Sequence, residues 1–186
     1  MKKSVSILSA LLVVAVFVSM AIASGSSDTP SKEAGTASKA SAAASAATSS
    51  GQTFGLNDTA VFKNLKVTAT EIKTSTGSTY LKPSDGNIYV GVNFTIVNTS
   101  NKDQVISSAL DFDAYTDNNS ASESITGASA FGSGTKTIDG KIAPGKQLQG
   151  YYVIEAPKTT KVIEIQFKAD LFGGSKAVFK FDMPKS

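Results

Sequence analysis

The stretch Asn87–Asn98, NIYVGVNFTIVN, decides the fold of this 186-residue chain because it alternates between two kinds of side chain over its whole length. Every second residue from Ile88 to Ile96 is large and apolar, and most of the residues between them are small or polar. Successive side chains of a β-strand point to opposite faces of a sheet, so this period of two places the apolar set on one face. The stretch is therefore predicted to be a strand with one buried face.

The same alternation recurs on both sides of this stretch. It is present in Leu65–Thr70, Leu110–Tyr115, Gln147–Pro157, Ile163–Lys168 and Phe179–Asp182. Turn-forming sequences rich in Gly, Pro and Asp separate these segments. About seven or eight such strands in residues 53–186, with no segment of helical period, predict an antiparallel two-layer β-sandwich, and any likeness to an immunoglobulin domain is one of architecture.

Residues 1–23 have the composition of a secretory signal peptide. Lys2 and Lys3 give a positive start, residues 7–22 are apolar apart from two serines, and Ala21-Ile22-Ala23 offers small residues at the positions that a signal peptidase reads. An uncleaved anchor is the alternative, because the apolar run is only slightly shorter than a membrane-spanning helix. Contact with a membrane is expected only through residues 7–22, and only if they are retained.

Residues 24–52 are predicted to be a disordered linker. Ser, Ala, Thr and Gly dominate this segment, which lacks aromatic and branched aliphatic residues. Such a segment cannot bury enough apolar surface to offset the entropy that it would lose on folding. The expected order is therefore signal segment, linker and one sandwich domain at residues 53–186.

The composition excludes several kinds of chemistry. The chain has no His and no Cys, which removes imidazole bases, thiolate nucleophiles, disulfides and most zinc sites. Its basic residues are all lysines, so no arginine is present to form paired hydrogen bonds with phosphate or guanine. We therefore expect a protein that is not an enzyme and does not bind nucleic acid.

Two longer stretches resemble a known family. They are Gly77–Ile106, with Tyr80, Pro83 and Gly86-Asn87 ahead of the central strand, and Gly140–Phe172, which begins near Ile142-Ala143-Pro144-Gly145. In this ordered combination the chain is similar to the bacterial family called domain of unknown function 4352. The resemblance implies an immunoglobulin-type sandwich at a bacterial cell surface, and it implies no catalytic residues.

Lipid anchoring is the point at which the chain departs from that family. Its lipoproteins carry a cysteine directly after the apolar run, whereas Ser24 stands at that position here. A hydroxyl is a far poorer nucleophile than a thiolate at neutral pH. The chain is therefore expected outside the cell or at its surface, without a lipid anchor.

Asp111, Asp113 and Asp117 form a candidate calcium site. Asp111 and Asp113 are predicted to share one face of a strand, and Asp117 to lie in the turn that follows. Carboxylate oxygens are the ligands that Ca²⁺ prefers, although the glycine of a calcium-binding loop is missing. The alternative is an ordinary solvated strand end, where acidic residues and Asp-Asn turns are common.

Tyr80, Tyr89, Tyr115 and Tyr151 form a candidate binding surface. Tyr80 lies in a predicted loop, and the other three are expected on outward strand faces, where exposed tyrosines can bind a glycan or a peptide. Cross-strand packing is the alternative interpretation. The alternation leaves open whether Tyr151 or Tyr152 points inward.

Together these features favour a non-catalytic binding module, secreted or at the cell envelope, whose partner is a protein or an envelope component. A structural spacer without a specific ligand is the alternative. A binding module should expose a contiguous apolar or aromatic patch, whereas a spacer should be covered uniformly by polar residues. No pattern in the sequence specifies an oligomeric state.

The small residues at the end of the apolar run lead to a prediction about processing. When the full chain is expressed in a bacterial host, the exported product should begin at Ser24, because Ala21-Ile22-Ala23 fits signal peptidase. Intact-mass spectrometry of the medium and of the membrane fraction measures this. A full-length mass confined to the membranes would contradict cleavage and make residues 7–22 an anchor.

Overall fold

The computed structural model describes residues 30–33, 52–170 and 174–184. The predictions for residues 1–23 and for Ser24, and those for most of the predicted linker, lie outside these ranges. In the part of the chain that is described, no helix is long and apolar enough to cross a membrane.

Twelve strands, one α-helix and one 3₁₀ helix make up the described chain. In chain order the strands are β1 (Ser31–Glu33), β2 (Thr53–Phe54), β3 (Thr59–Val61), β4 (Leu65–Ser75), β5 (Asn87–Asn98), β6 (Gln104–Ile106), β7 (Phe112–Thr116), β8 (Asn119–Ala121), β9 (Gly140–Ile142), β10 (Gln147–Pro157), β11 (Val162–Lys168) and β12 (Lys176–Asp182). The helix α1 is Ser108–Asp111, and the 3₁₀ helix is Ile125–Phe131. Strand β5 has the bounds of the predicted stretch, and the higher strand count comes from strands of only two or three residues.

The strands form two sheets and a separate ribbon. The first sheet has the order β1-β3-β4-β5-β10, the second has the order β2-β12-β11-β7-β8, and β6 pairs with β9. The strand pairs are antiparallel, except that β2 runs parallel to β12. The immunoglobulin-like β-sandwich predicted from the sequence is confirmed.

The core between the sheets is rich in aromatic rings. Phe94 of β5 is fully buried, and its ring centroid lies 5.3 Å from those of Phe112 and Phe179 in the second sheet. Tyr152 of β10 stacks on Phe112 at 5.0 Å, so Tyr152 points inward and Tyr151 outward. Burying one large apolar side chain contributes about 1.5–3 kcal/mol, and several such rings hold this sandwich together without a disulfide.

Strand β10 is the edge of the first sheet, and residues 122–138, the cover segment, protect it. The backbone N–H of Ser124 donates to the carbonyl of Val153 at 2.7 Å, and that of Tyr151 donates to the carbonyl of Lys136 at 2.8 Å. Gly150 permits this contact, because a Cβ at that position would lie 2.4 Å from the Thr137 carbonyl oxygen. The cover segment thus occupies the middle of this edge and shields it from pairing with another chain.

Strand β1 lies within the segment that the sequence predicts to be disordered. Ser31–Glu33 pairs with β3 at the other edge of the first sheet. Lys66 Nζ donates to both carboxylate oxygens of Glu33 at 2.9 Å, and Lys32 forms an ion pair with Asp58. Contrary to the prediction for the linker, these three residues are therefore ordered, because β3 offers hydrogen-bonding groups and charges that match theirs.

Reversing one charge should loosen β1 without unfolding the domain. Glu33→Lys should speed hydrogen exchange at the amides of Thr59–Val61, because it replaces an attraction to Lys66 with a repulsion. The melting temperature should stay unchanged, since exposed ion pairs contribute little to global stability. Exchange is measured residue by residue by NMR.

The double variant Glu33→Lys with Lys66→Glu is the matched control. It restores the ion pair with opposite polarity and should therefore restore the protection of Thr59–Val61. Identical exchange in the wild type, the single variant and the double variant would contradict the role given to this pair.

Candidate functional site

The four candidate tyrosines do not form one surface. Tyr80 is 98% exposed in the loop between β4 and β5, whereas Tyr89 is only 2% exposed. Tyr115 and Tyr151 are partly exposed and lie in different sheets. The expectation that Tyr89 is exposed is therefore wrong, and the tyrosines are not a single platform.

Tyr89 is buried because the 3₁₀ helix of the cover segment crosses the outer face of the first sheet. Tyr89 packs there with Ala128 and Val153 in a small apolar cluster outside the main core, and Phe131 lies against this cluster. Gly127 lets the helix approach so closely, because a Cβ at Gly127 would lie 2.8 Å from a methyl group of Val153. Period two correctly places Tyr89 on the outer face of β5, but nothing in that pattern reveals what covers this face.

Tyr151 belongs to a polar network on the same outer face. Its hydroxyl donates to the carboxylate of Glu71, and Lys73 Nζ lies 2.9 Å from the other oxygen of that carboxylate. The ring of Phe131 stacks on Tyr151 with the centroids 5.7 Å apart. A bulge in β4 between Ala69 and Glu71 changes the register of β4 at this point, and bulges commonly re-aim side chains.

A shallow cleft of about 370 Å³ beside Tyr151 is lined by groups that satisfy one another. Asn93 Oδ1 accepts hydrogen bonds from Thr70 Oγ1 at 3.0 Å and from Gln149 Nε2 at 3.1 Å. Groups that are already paired within the protein order its surface and leave little capacity for a ligand. We therefore interpret this outer network as structural.

The candidate calcium ligands Asp111 and Asp113 do not share a strand face. Asp111 ends α1, where its carboxylate accepts the backbone N–H of Ser107 at 2.8 Å. Burial raises the pKa of Asp111, and the nearby charge of Asp139 adds to this effect. Asp113 lies on β7 and pairs with Lys168 at 3.1 Å. The predicted common face is wrong because residues 108–111 form a helical turn.

Asp117 is engaged in the turn after β7. Its carboxylate accepts the backbone N–H groups of Lys161 at 3.1 Å and of Val162 at 2.9 Å. Within residues 30–33, 52–170 and 174–184, no group of three or more acidic side chains is placed to hold a metal ion. The structure therefore does not assemble Asp111, Asp113 and Asp117 into a calcium site.

A different cleft, of about 300 Å³, opens where β8 of the second sheet faces β10 of the first. We call it the edge cleft. Its lining is mixed and more polar than apolar; we call its apolar residues the floor and its acidic and hydroxyl-bearing residues the rim. The floor includes Phe112, Ala114 and Ala121, and the rim includes Asp113, Ser120 and Glu123. The candidate residues Asp113 and Tyr115 both line this cleft.

Tyr152 links the edge cleft to the core. The residue is 3% exposed and its ring stacks on Phe112, yet its hydroxyl hydrogen-bonds to no described residue. No fully buried side-chain polar atom of the described chain lacks a partner, so this oxygen must reach the cleft. Burial, together with the carboxylates of Glu123 and Asp113, raises the pKa of Tyr152, so the hydroxyl stays protonated.

Acidic side chains dominate the surroundings of the edge cleft. Asp113 and Glu123 line it, and Asp139 accepts hydrogen bonds from the backbone N–H and the hydroxyl of Ser108 at 2.8 and 2.9 Å. Lys168 is the cation next to Asp113. A cleft bordered by one sign of charge focuses a potential that attracts the opposite sign.

The alternation in the sequence predicts only part of this site. Asp113 and Tyr115 are recognised as outward residues of one strand. Glu123 and Tyr152 belong to the site only because the edges of two different sheets meet, and alternation within one strand carries no information about that contact.

The fold and the cleft define a small two-layer β-sandwich domain with a cleft between the edges of its two sheets. The model of the family described as "Domain of unknown function (DUF4352)" matches residues 54–178. The chain belongs to this family, as its sequence resemblance implies.

Several solved structures are similar to this chain in fold. The "putative lipoprotein (ycdA)" of Bacillus subtilis has 20% sequence identity and a TM-score of 0.53, over 64% of this chain and 36% of that protein. The match thus spans about a third of that protein's length. An uncharacterized β-sandwich protein of Clostridium difficile has 16% identity and a TM-score of 0.46, over 74% of this chain and 99% of that one. No curated protein matches the sequence.

Removing the Tyr151 hydroxyl should raise the pKa of Glu71. The Tyr151 hydrogen bond, assisted by Lys73, holds the pKa of this carboxyl below its ordinary value. A lowered folded-state pKa stabilises the fold above the unfolded-state pKa, and this contribution is lost as the pH falls through the folded-state pKa. Tyr151→Phe should therefore also weaken the acid-side decline in stability.

Carboxyl ¹³C NMR titration of Glu71 measures this effect, with melting curves across the acidic range as the second readout. Tyr115→Phe is the control, because Tyr115 lies in the other sheet. An unchanged Glu71 pKa in Tyr151→Phe would contradict the hydrogen bond as the main cause.

Proposed function

We propose that this chain is an exported, non-catalytic binding module whose ligand enters the edge cleft. The observation that carries the proposal is the Tyr152 hydroxyl, which sits on a buried ring and opens into the cleft without a partner among the described residues. A rigid polar group with unused hydrogen-bonding capacity, set over an apolar floor, is what small ligand sites contain.

The non-catalytic part of the proposal is supported by the side chains around the cleft. Ser108 is one of the serines that line the cleft, and its hydroxyl donates to Asp139 at 2.9 Å. A carboxylate is a weak base for a serine hydroxyl, and the chain has no histidine to take its proton. Asp113, one of the two acids of the rim, is paired with Lys168.

The extracellular part of the proposal is supported by the predicted signal segment at residues 1–23. The similar Bacillus subtilis protein carries a lipoprotein name. Because Ser24 replaces the lipid-accepting cysteine, we place this chain in the medium or, with residues 7–22 retained, at the membrane. Its partner is then a component of the envelope or a secreted protein.

The edge cleft is a better candidate for the binding site than a flat apolar patch on the exposed surface. Among the described residues, the exposed large apolar side chains come from separate segments of the chain: Leu56, Tyr80, Val105, Leu110 and Ile125. The apolar surface that a ligand would use lies instead on the floor of the edge cleft. A spacer without a ligand is the competing function.

Binding to envelope material tests this proposal. The chain from Ser24 onward contains every described residue, and it should co-sediment with washed Bacillus subtilis cell walls. Ser120→Trp, which fills the edge cleft with an indole, should lower the bound fraction about ten-fold. The bound protein is quantified by gel densitometry over a range of wall concentrations.

Thr76→Trp is the matched control, because Thr76 is likewise a small hydroxyl residue and is exposed in the loop between β4 and β5. It should bind like the wild type, and melting curves should show that both variants are folded. If Ser120→Trp unfolds, Ser122→Trp blocks the same cleft. A wild type that stays in the supernatant, or equal binding by both variants, would overturn the proposal in favour of a spacer.

A further inference from the structure

The edge cleft combines three features that together select one kind of ligand. They are an apolar floor, an unpartnered hydroxyl and an acidic rim. We propose that the cleft binds a primary ammonium group on an aliphatic stem, the group that a lysine side chain carries. This inference rests on the proposed function, because it names the chemistry that the same cleft recognises.

The floor matches the stem of such a ligand. Phe112, Ala114 and Ala121 present carbon surface in the cleft, and Phe112 and Ala114 are otherwise buried in the core. Lysine-type chains pack their methylene groups along apolar surfaces and keep the charged end in polar surroundings.

The hydroxyl and the rim match the charged end. An ammonium group has three N–H donors and no acceptor. Glu123 supplies a carboxylate with no ion-pair partner among the described residues, and the oxygen of Tyr152, which lies close enough to Glu123 to feel its charge, supplies a second acceptor. Ser120 lines the same cleft with a further hydroxyl. Charge-assisted hydrogen bonds of this kind are stronger than neutral ones.

The rim already holds one ammonium group within the protein. Lys168 Nζ lies 3.1 Å from Asp113 Oδ1, an oxygen of one of the two carboxylates that line the cleft. That contact satisfies Asp113 and leaves Glu123 as the carboxylate available to a ligand. A carboxylate of the cleft thus already accepts an ammonium group, which is the kind of contact that we assign to the ligand.

The same charges disfavour other ligands. Asp113, Glu123 and Asp139 would repel a carboxylate or a phosphate, and Lys168 is occupied by Asp113. A neutral polyol would pair with the hydroxyls but would leave the charge of Glu123 unmatched. The acidic rim therefore distinguishes the ammonium group from anionic and neutral ligands of similar size.

An NMR titration tests the inference directly. In ¹⁵N-labelled chain from Ser24 onward, Nα-acetyl-lysine N-methylamide should shift the amide signals of Ala121–Glu123 and Tyr152. The norleucine analogue, which keeps the stem without the ammonium group, should cause no saturable shift. n-Butylammonium distinguishes the source of the ligand: comparable binding indicates a free amine, and binding of the lysine derivative alone indicates a residue within a polymer.

Three variants locate the contacts. Glu123→Gln should weaken binding at least about ten-fold, and added NaCl should weaken wild-type binding because the attraction is screened. Tyr152→Phe should weaken binding about three-fold and leave the melting temperature unchanged, a result that a purely structural hydroxyl would not produce. Asp182→Asn removes one negative charge at the end of β12 and should bind like the wild type.

The outcomes separate this inference from the proposed function. Equal binding of the norleucine analogue, or an unchanged affinity in Glu123→Gln, would overturn the ammonium assignment. If cell walls bind in a Ser120-dependent way while the lysine derivative fails to bind, the assignment is wrong and the binding function stands. If neither binds, both proposals fail. Glu123 lies on the rim, so its variant stays informative even if Tyr152→Phe is unstable.

Discussion

The stacking of Tyr152 on Phe112 joins the two sheets beside the edge cleft, so that one residue belongs both to the core and to the cleft. The ring of Tyr152 lies in the core, 5.0 Å from that of Phe112, while its hydroxyl opens into the edge cleft. Strands β7 and β10 must keep their spacing for this contact to exist. The core packing that stabilises the sandwich therefore also fixes the geometry of the site.

Polar groups on the outer face of the first sheet and in the edge cleft differ in whether they have hydrogen-bond partners within the protein. On the outer face of the first sheet, Tyr151 is bound to Glu71 and Asn93 is bound to Gln149, so hydrogen bonds close the network. At the edge cleft, the hydroxyl of Tyr152 is left open. Two adjacent tyrosines of one strand thus have opposite roles, because one faces a covered sheet surface and the other faces a gap between sheets.

The alternation of apolar and polar residues predicted the architecture well, because a strand with one buried face needs an apolar residue at every second position. Strand β5 and the sandwich followed from this pattern. The burial of Tyr89 under the 3₁₀ helix and the position of Asp111 in a helical turn could not be predicted in this way, since both depend on contacts between distant segments. Strand β1 also escaped prediction, because hydrogen bonds and ion pairs to the edge of β3 order it while all three of its residues remain exposed.

Strand β1 also sets how far the domain can stand from the membrane in a chain that keeps its apolar segment. With Ser31–Glu33 seated on β3, only residues 24–30 separate that segment from the sheet, and even fully extended they span about 25 Å. Released from β3, the chain up to residue 52 could extend about 100 Å. Three residues at a sheet edge thus govern the height at which the edge cleft is presented, whatever the length of the linker.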